Sequence, residues 1–160
     1  MPLSSRREFI ATATAAGSSL FLAKASAAPE KRFEGIFPIV QTPFKDSGAL
    51  DTDTLANEVQ FLHRMGVQGM TWPQNASEWS LLTPDERFAG AEAIVRANKS
   101  APAATRPSVV IGVQAATAEA ALPFARHAEK IGVDGIIAIP FNNGAGKDES
   151  KQMEYYAAIG

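Results

Sequence analysis

From residue 35 onward, short apolar runs alternate with longer segments in which apolar residues keep a helical spacing. The runs are candidate buried strands at Gly35–Thr42, Val67–Trp72, Ser108–Val113 and Asp134–Ile139. Between the first two runs, Leu55, Val59 and Leu62 recur at intervals of three or four residues, as on one face of a helix. Strands separated by helices are typical of a parallel sheet, so the pattern predicts an α/β fold with the order β-α-β-α-β-α-β-α.

Local signals fix several helix ends. Thr83-Pro84-Asp85-Glu86 combines a threonine N-cap, a proline at the first helical position and a glutamate two residues after that proline, which is a capping box. Gly66 is expected to end the preceding helix in the left-handed conformation. Arg64-Met-Gly-Val-Gln-Gly-Met70 resembles Lys130-Ile-Gly-Val-Asp-Gly-Ile136, with one glycine closing a helix and a second opening a strand. A repeated joint of this kind indicates repeated βα units.

The N-terminal segment has the features of an export signal. Arg6 and Arg7 precede a mildly apolar stretch, Ile10–Leu22, and Ala25-Ser-Ala27 is a small-x-small cleavage site. The residues S-R-R-E-F-I that start at Ser5 resemble the twin-arginine motif. A disordered basic tail is the alternative interpretation.

Two expectations follow from the export signal. Residues 1–27 are predicted to be a twin-arginine signal peptide, and residues 28–160 the mature chain, located in the periplasm or secreted. The apolar stretch is shorter than the roughly 20 apolar residues that a membrane span needs. We therefore expect no stable membrane anchor after cleavage.

Composition excludes several classes of function. The net charge is −2 without a basic run, which argues against nucleic acid as a partner. The absence of cysteine excludes disulfides, thiolate nucleophiles and cysteine-ligated zinc. With His63 and His127 as the two histidines, no metal site and no cofactor are predicted. Both histidines are expected at the surface of helices.

Four motifs in order resemble the dihydrodipicolinate synthase and N-acetylneuraminate lyase family. They are Thr42-Pro-Phe44 followed by Asp46-x-Gly-x-Leu-Asp51, then Gly66-Val-x-Gly69, then Ser77-Glu78 followed by Leu82-Thr-Pro-Asp-Glu-Arg87, and finally Gly132-x-Asp-Gly135 leading to Pro140. The resemblance covers nearly all of residues 32–160. It implies that residues 28–160 form the N-terminal half of a (β/α)₈ TIM barrel, with about four βα units.

The resemblance also implies a chemistry. Members of this family are lyases and aldolases that form a Schiff base between a lysine and a 2-keto acid such as pyruvate. Their sites lie on the loops that follow the barrel strands. The implied partner is therefore a small-molecule 2-keto acid, and the complete protein is expected to be a homo-oligomer.

The same resemblance marks candidate substrate-binding residues and shows departures from the family. Asn75 and Ala76 stand where the family has the Thr-Thr pair that holds the substrate carboxylate; Asn75 keeps a donor, whereas Ala76 has lost the hydroxyl. Glu78 is expected to orient this loop, and Thr42 lies where the first strand reaches the barrel mouth. Asn142 replaces the second tyrosine of a Pro-Tyr-Tyr motif. The simpler interpretation is turn capping before the helix at Pro84 for Asn75 and Glu78, and a simple turn for Thr42.

No catalytic residue is expected in this chain. The family's lysine and its strand-five tyrosine correspond to positions beyond Gly160, and none of the lysines present falls at a strand end. The chain is therefore expected to be an inactive fragment of a lyase or aldolase. A noncatalytic periplasmic barrel that binds a small carboxylate is the alternative, and a nonfunctional truncation is a third possibility. In an open half-barrel the inward side chains, predicted as Ile39, Met70, Val110 and Ile137, would be half covered.

Overall fold

The computed structural model describes residues 33–139 and 148–160. The predicted signal peptide and Asn142 lie outside these residues. The helices are α1 (Thr52–Met65), α2 (Pro84–Asn98), α3 (Ala118–Ile131) and α4 (Glu149–Ile159), and the strands are β1 (Gly69–Trp72), β2 (Ser108–Gly112) and β3 (Gly135–Ile137). Strands and helices alternate along the chain as the sequence predicts.

The three strands form a parallel sheet in the order β1-β2-β3. Met70 is level with Val109, and Ile111 is level with both Trp72 and Ile136. Consecutive parallel strands joined by helices are the repeating unit of an α/β barrel, which confirms the predicted fold class.

The first predicted strand is shorter and less regular than its sequence pattern suggests. Ile39 forms an isolated parallel bridge with Thr71, and the Thr71 N–H donates to the Pro38 carbonyl at 3.0 Å. Pro38 has no N–H to contribute to the ladder, and Gly35 has a positive φ of 99°. The segment therefore lies beside β1 without forming a full strand.

One face of the sheet packs against the helices and forms the main core. Met70 and Trp72 of β1 and Val109 and Ile111 of β2 point to this face, where they meet buried residues of the helices: Leu55, Val59, Leu62, Ala91, Ile94, Val95 and Ala128. Burying a side chain of this size stabilises a fold by about 1.5–3 kcal/mol. The expectation that Met70 points inward was wrong, because its partner Val109 also faces the helices.

The opposite face, which is the interior in a closed barrel, carries Thr71 and Val110, which are level with Gly135. Side chains alternate between the two faces of a strand, so an error of one residue in the predicted strand moves a side chain to the other face. Ile39 is 41 % exposed here.

The two glycine joints have a physical basis in the structure. Gly66 and Gly132 end α1 and α3 in the left-handed conformation, with φ of 69° and 75°. A Cβ on Gly69 would collide with the Phe37 ring, and one on Gly135 would come within 3.2 Å of the Phe33 ring. The second glycine of each joint therefore makes room for an aromatic ring on the face opposite the helices.

Candidate active site

The carboxyl ends of the strands bring together the loops that carry the predicted site. In a parallel sheet these ends lie at one edge, which is where α/β barrels bind their substrates. The loop after β1 contains two short 3₁₀ turns, Asn75–Ser77 and Trp79–Leu81. The Trp72–Pro73 peptide bond is cis, and Glu78 has a positive φ of 54°.

Thr42 connects the first segment to this loop. Its hydroxyl accepts a hydrogen bond from the Trp72 indole N–H at 3.0 Å and donates one to the Ser77 carbonyl. Ser77 is itself buried, and its hydroxyl accepts from the Gln74 N–H at 2.7 Å. The donor of the Thr42 hydroxyl is therefore used within the protein, and its binding of substrate stays a prediction.

Asn75 presents one half of its amide to solvent. Its Oδ1 accepts a hydrogen bond from the Trp79 indole N–H at 2.9 Å. An indole nitrogen can only donate, so the amide oxygen must face Trp79, and Nδ2 points away without an acceptor among the described residues. Ala76 and Glu78 are also exposed in this loop.

Arg87 is a buried cation that sequence reasoning missed as part of this region. Its two terminal nitrogens donate to the carbonyls of Gly112 and Gln114, both at 3.0 Å. Its guanidinium carbon lies 3.5 Å from the centre of the Phe124 ring. Burial lowers the pKa of Arg87 to about 10, and the nearby Tyr155 acts in the opposite direction. Arg87 thus holds the end of β2 and the loop after it.

Three buried polar atoms in this region have no hydrogen-bond partner among the described residues. They are Gln74 Nε2, Arg87 Nε and Gln114 Oε1. Burial raises the pKa of Tyr155, against a backbone hydrogen bond at Ala115 and the Arg87 charge. An unpaired buried polar atom costs about 1–3 kcal/mol, so such atoms in a folded protein commonly face a water or a ligand. No motif in the sequence marked Gln74 or Gln114.

The described lysines do not supply a nucleophile at a strand end. Lys45, Lys99, Lys130 and Lys151 are all exposed and lie in a turn or in helices and their caps. Within residues 33–139 and 148–160, no group of three or more acidic or histidine side chains forms a metal site. None of the helices in this part of the chain is long and apolar enough to cross a membrane.

The two histidines are not on outer helix faces, so that expectation was wrong. His63 Nε2 lies 2.7 Å from Oδ1 of the buried Asn98. The His127 ring is 4.7 Å from the Phe88 ring, between α2 and α3. Both histidines are half-buried in the helix layer. The two tryptophans pack as predicted, since Trp72 is fully buried and Trp79 supports its loop.

A parallel sheet in chain order with helices on one face is the arrangement of consecutive units in a (β/α) barrel. The family can be stated more narrowly. Residues 32–159 match the Dihydrodipicolinate synthetase family, and the chain belongs to it.

Named relatives in sequence include aldolases and synthases. The chain is 34% identical over 109 residues to the probable 2-dehydro-3-deoxy-D-pentonate aldolase of Escherichia coli, covering 68% of this chain and 35% of that protein. It is 34% identical over 111 residues to the 4-hydroxy-tetrahydrodipicolinate synthase of Methanococcus maripaludis, covering 69% of this chain and 36% of that protein. The chain thus spans about a third of the length of the relatives it matches.

Solved structures give the same fold. A prophage protein of the dihydrodipicolinic acid synthase family from E. coli, in complex with pyruvate, superposes with a TM-score of 0.71 at 29% identity, over 79% of this chain and 41% of that one. N-acetylneuraminate lyase from Mycoplasma synoviae gives a TM-score of 0.70 at 25% identity, over 79% of this chain and 42% of that one. These neighbours share the fold of the part of the chain that they cover.

Proposed function

We propose that the complete protein is an aldolase-type lyase that binds a 2-keto acid as a Schiff base on a lysine supplied from outside this 160-residue chain. Support comes from the family, from relatives that are named as aldolases and synthases, and from a structural neighbour that was solved with pyruvate. The observation that carries the proposal is the free amide donor of Asn75 at the carboxyl end of β1.

The chemistry explains why a donor is needed at this position. The lysine amine condenses with the keto group and water leaves, giving a protonated imine that withdraws electrons from the adjacent carbon. A carbon–carbon bond one atom further away can then break, which releases an aldehyde and leaves an enamine. Protonation and hydrolysis of the enamine return the lysine and a shorter keto acid. Throughout this cycle the substrate carboxylate must be held in place.

Asn75 is proposed to bind that carboxylate through Nδ2. The hydrogen bond from Trp79 fixes the amide so that its donor faces away from the loop. Ala76 brings no side-chain donor, so backbone N–H groups would complete the site. Thr42 and Glu78 would shape the loop, and Asn142, which lies outside the described residues, stays a candidate from the sequence.

Two substitutions at Asn75 separate ligand binding from loop support. Asn75→Asp keeps an acceptor for Trp79 but replaces the donor with a negative charge, whereas Asn75→Ala removes both groups. In the complete protein, calorimetry with pyruvate should show a loss of about 1–3 kcal/mol of binding free energy for Asn75→Ala, the cost of removing a partner from a charged group. Asn75→Asp should lose at least as much. Unchanged affinity in Asn75→Asp would remove Asn75 from the site.

A noncatalytic barrel that binds a small carboxylate is the second candidate. The positions of the described lysines favour it, since none of them lies at a strand end, and binding needs no nucleophile whereas a Schiff base does. A pyruvate adduct trapped by borohydride would eliminate this candidate. Pyruvate binding without an adduct would favour it.

We also propose that the protein is exported by the twin-arginine route and assembles as a homo-oligomer. Support for export comes from Arg6 and Arg7, the apolar stretch and the Ala25–Ala27 cleavage site in the sequence. Changing Arg6 and Arg7 together to lysine should abolish processing and leave the precursor in the cytoplasm, as seen by cell fractionation. Normal processing of the double variant would disprove this route.

A further inference from the structure

Arg87 of α2 contacts the loops that follow two different strands. Its terminal nitrogens donate to the carbonyls of Gly112 and Gln114, at and just beyond the end of β2. Its guanidinium carbon also lies 5.5 Å from the ring centre of Trp79, in the loop after β1. A cation attracts an aromatic ring within about 6 Å, so a single side chain is in contact with both loops.

The surroundings of the guanidinium fix its position. Arg87 is 6 % exposed, and the Phe124 ring of α3 lies 3.5 Å from its guanidinium carbon. The planar fork of an arginine is pre-organised, so it loses little freedom when both of its ends are hydrogen-bonded. The attraction between a cation and a ring is also stronger where water is excluded. Arg87 is therefore a firm support for the indole of Trp79.

Trp79 connects this support to Asn75. Its indole N–H donates to Asn75 Oδ1 at 2.9 Å, which selects one of the two orientations of the amide. Asn75 is exposed, and its side chain makes no other hydrogen bond within the described part of the chain. The direction of the Asn75 donor therefore depends on where the Trp79 ring lies.

We propose that Arg87 is a positioning residue for ligand binding, which holds Trp79 in the place from which its indole N–H orients the Asn75 amide. This inference rests on the proposed function, in which Asn75 Nδ2 binds the substrate carboxylate. It adds that two residues without contact to the ligand set the direction of that donor. Changes at Arg87 or Trp79 should therefore weaken binding only while Asn75 keeps its amide.

The test is a pair of double-mutant cycles, measured by calorimetry with pyruvate on the protein expressed from its complete reading frame. Trp79→Phe keeps a ring beside Arg87 but removes the donor to Asn75. It should weaken binding roughly fivefold, the factor that one hydrogen bond contributes. Arg87→Lys keeps the charge but has no planar fork, and should weaken binding by a similar factor. Added to Asn75→Ala, neither change should weaken binding further, because residues that act through one group are not additive.

A matched control is Arg96→Met, since Arg96 is exposed on the same helix. This variant should leave pyruvate affinity unchanged both alone and together with Asn75→Ala. A general loosening of the loops would weaken binding whether or not Asn75 carries an amide. The same loss of affinity from Arg87→Lys or Trp79→Phe in both backgrounds would therefore overturn the proposal.

A measurement without ligand separates this inference from the proposed function. With ¹⁵N-labelled tryptophan, the indole N–H signal of Trp79 is identified by its loss in Trp79→Phe. It should shift in Arg87→Lys and in Asn75→Ala, but not in Arg96→Met. The signal of Trp72, whose N–H is bonded to Thr42, should stay in place and report that each variant is folded.

The contact can also be tested from the Trp79 side, in a variant that leaves Arg87 intact. The Nε–H signal of Arg87, followed with ¹⁵N-labelled arginine, should shift in Trp79→Leu. An unshifted Arg87 signal there, or an unshifted Trp79 signal in a folded Arg87→Lys variant, would overturn the proposal. Unchanged pyruvate binding in Asn75→Ala, with both shifts present, would count against the carboxylate-binding role of Asn75 alone and would leave the positioning of its amide standing.

Discussion

Thr42, Trp72 and Ser77 hold the candidate site together through one hydroxyl group. The buried Trp72 indole donates to Thr42 Oγ1, which in turn donates to the Ser77 carbonyl. Trp72 also needs the glycine at position 90, because a Cβ there would collide with its ring. A side chain at the barrel mouth thus serves first to fix the loop on which Asn75 is presented.

Replacing Thr42 with valine should therefore destabilise the chain. The substitution preserves shape but leaves the buried Trp72 N–H without an acceptor, which costs about 1–3 kcal/mol. Urea denaturation of the 160-residue chain would measure the change in the free energy of unfolding. Thr105→Val, at an exposed turn, is the control and should change it little. Equal stability of the Thr42→Val variant and the wild type would show that the hydroxyl bridge contributes nothing.

The position of Asn75 follows from the sequence, but its chemical role does not. The motif places it in the substrate loop, while the free half of its amide depends on Trp79, four residues later, folding back onto it. The placement of Gln114 is less predictable still, because it depends on which side chains of β2 face the helices and which face the other side of the sheet. Contacts between loops after different strands leave no pattern in a single sequence.

The N-terminus of α2 joins two parts of the fold through Glu86. Its carboxylate accepts from the Thr83 N–H and hydroxyl and from the Leu50 N–H, all at 2.9 Å. Hydrogen bonds from the Thr83 and Leu50 backbones lower the pKa of Glu86. The capping box was predictable because its residues are adjacent in sequence; the bond to Leu50 was not.

This lowered pKa predicts a stability that depends on pH. A carboxyl group whose pKa is lower in the folded state stabilises the fold above its unfolded pKa of about 4.3, and the contribution is lost as the pH falls through the folded value. Glu86→Gln should therefore lower Tm at pH 7 and make less difference at pH 3. Asp85→Asn, in the same turn and exposed, is the control. An equal loss of Tm for Glu86→Gln at both pH values would contradict the account.

The repeated glycine joint gives a second prediction about the elements. Gly69→Ala should destabilise the chain more than Gly135→Ala, because the Phe37 ring fills the space at Gly69 while the Phe33 ring stays 3.2 Å from a Cβ at Gly135. Urea denaturation would compare the free energies of unfolding of the two variants, which carry the same glycine-to-alanine change. The reverse order would show that Phe37 moves aside more easily than the structure suggests.

Helix ends were predictable from sequence, whereas strand details were not. The Thr83 side chain caps the first turn of α2, and Gly66 adopts the left-handed conformation that ends α1. Both effects depend on residues that are close together in the sequence. Pro38 and Met70 show the limits. The apolar run that contains Pro38 lies beside β1 but forms an isolated bridge to it instead of a full strand. The face to which Met70 points depends on the register between β1 and β2.

As a whole, the described part of the molecule is a parallel sheet with helices on one face, while the opposite face carries Thr71, Val110 and the glycines at positions 69 and 135. The Phe33 and Phe37 rings, 6.1 Å apart, cover the end of that face where the strands begin. In the family's (β/α)₈ barrel of about 250 residues, this face is interior and the catalytic groups come from several strand ends. We therefore propose that the substrate loop lies in this chain and that the lysine belongs to the complete protein.

The most direct test is to trap the Schiff base and weigh the protein. The complete protein and the 160-residue chain are each treated with pyruvate and borohydride, and their masses are compared. We expect one adduct on the complete protein and none on the short chain, because the described lysines are exposed and none of them lies at a strand end. A stoichiometric adduct on the short chain, or none on the complete protein, would contradict it.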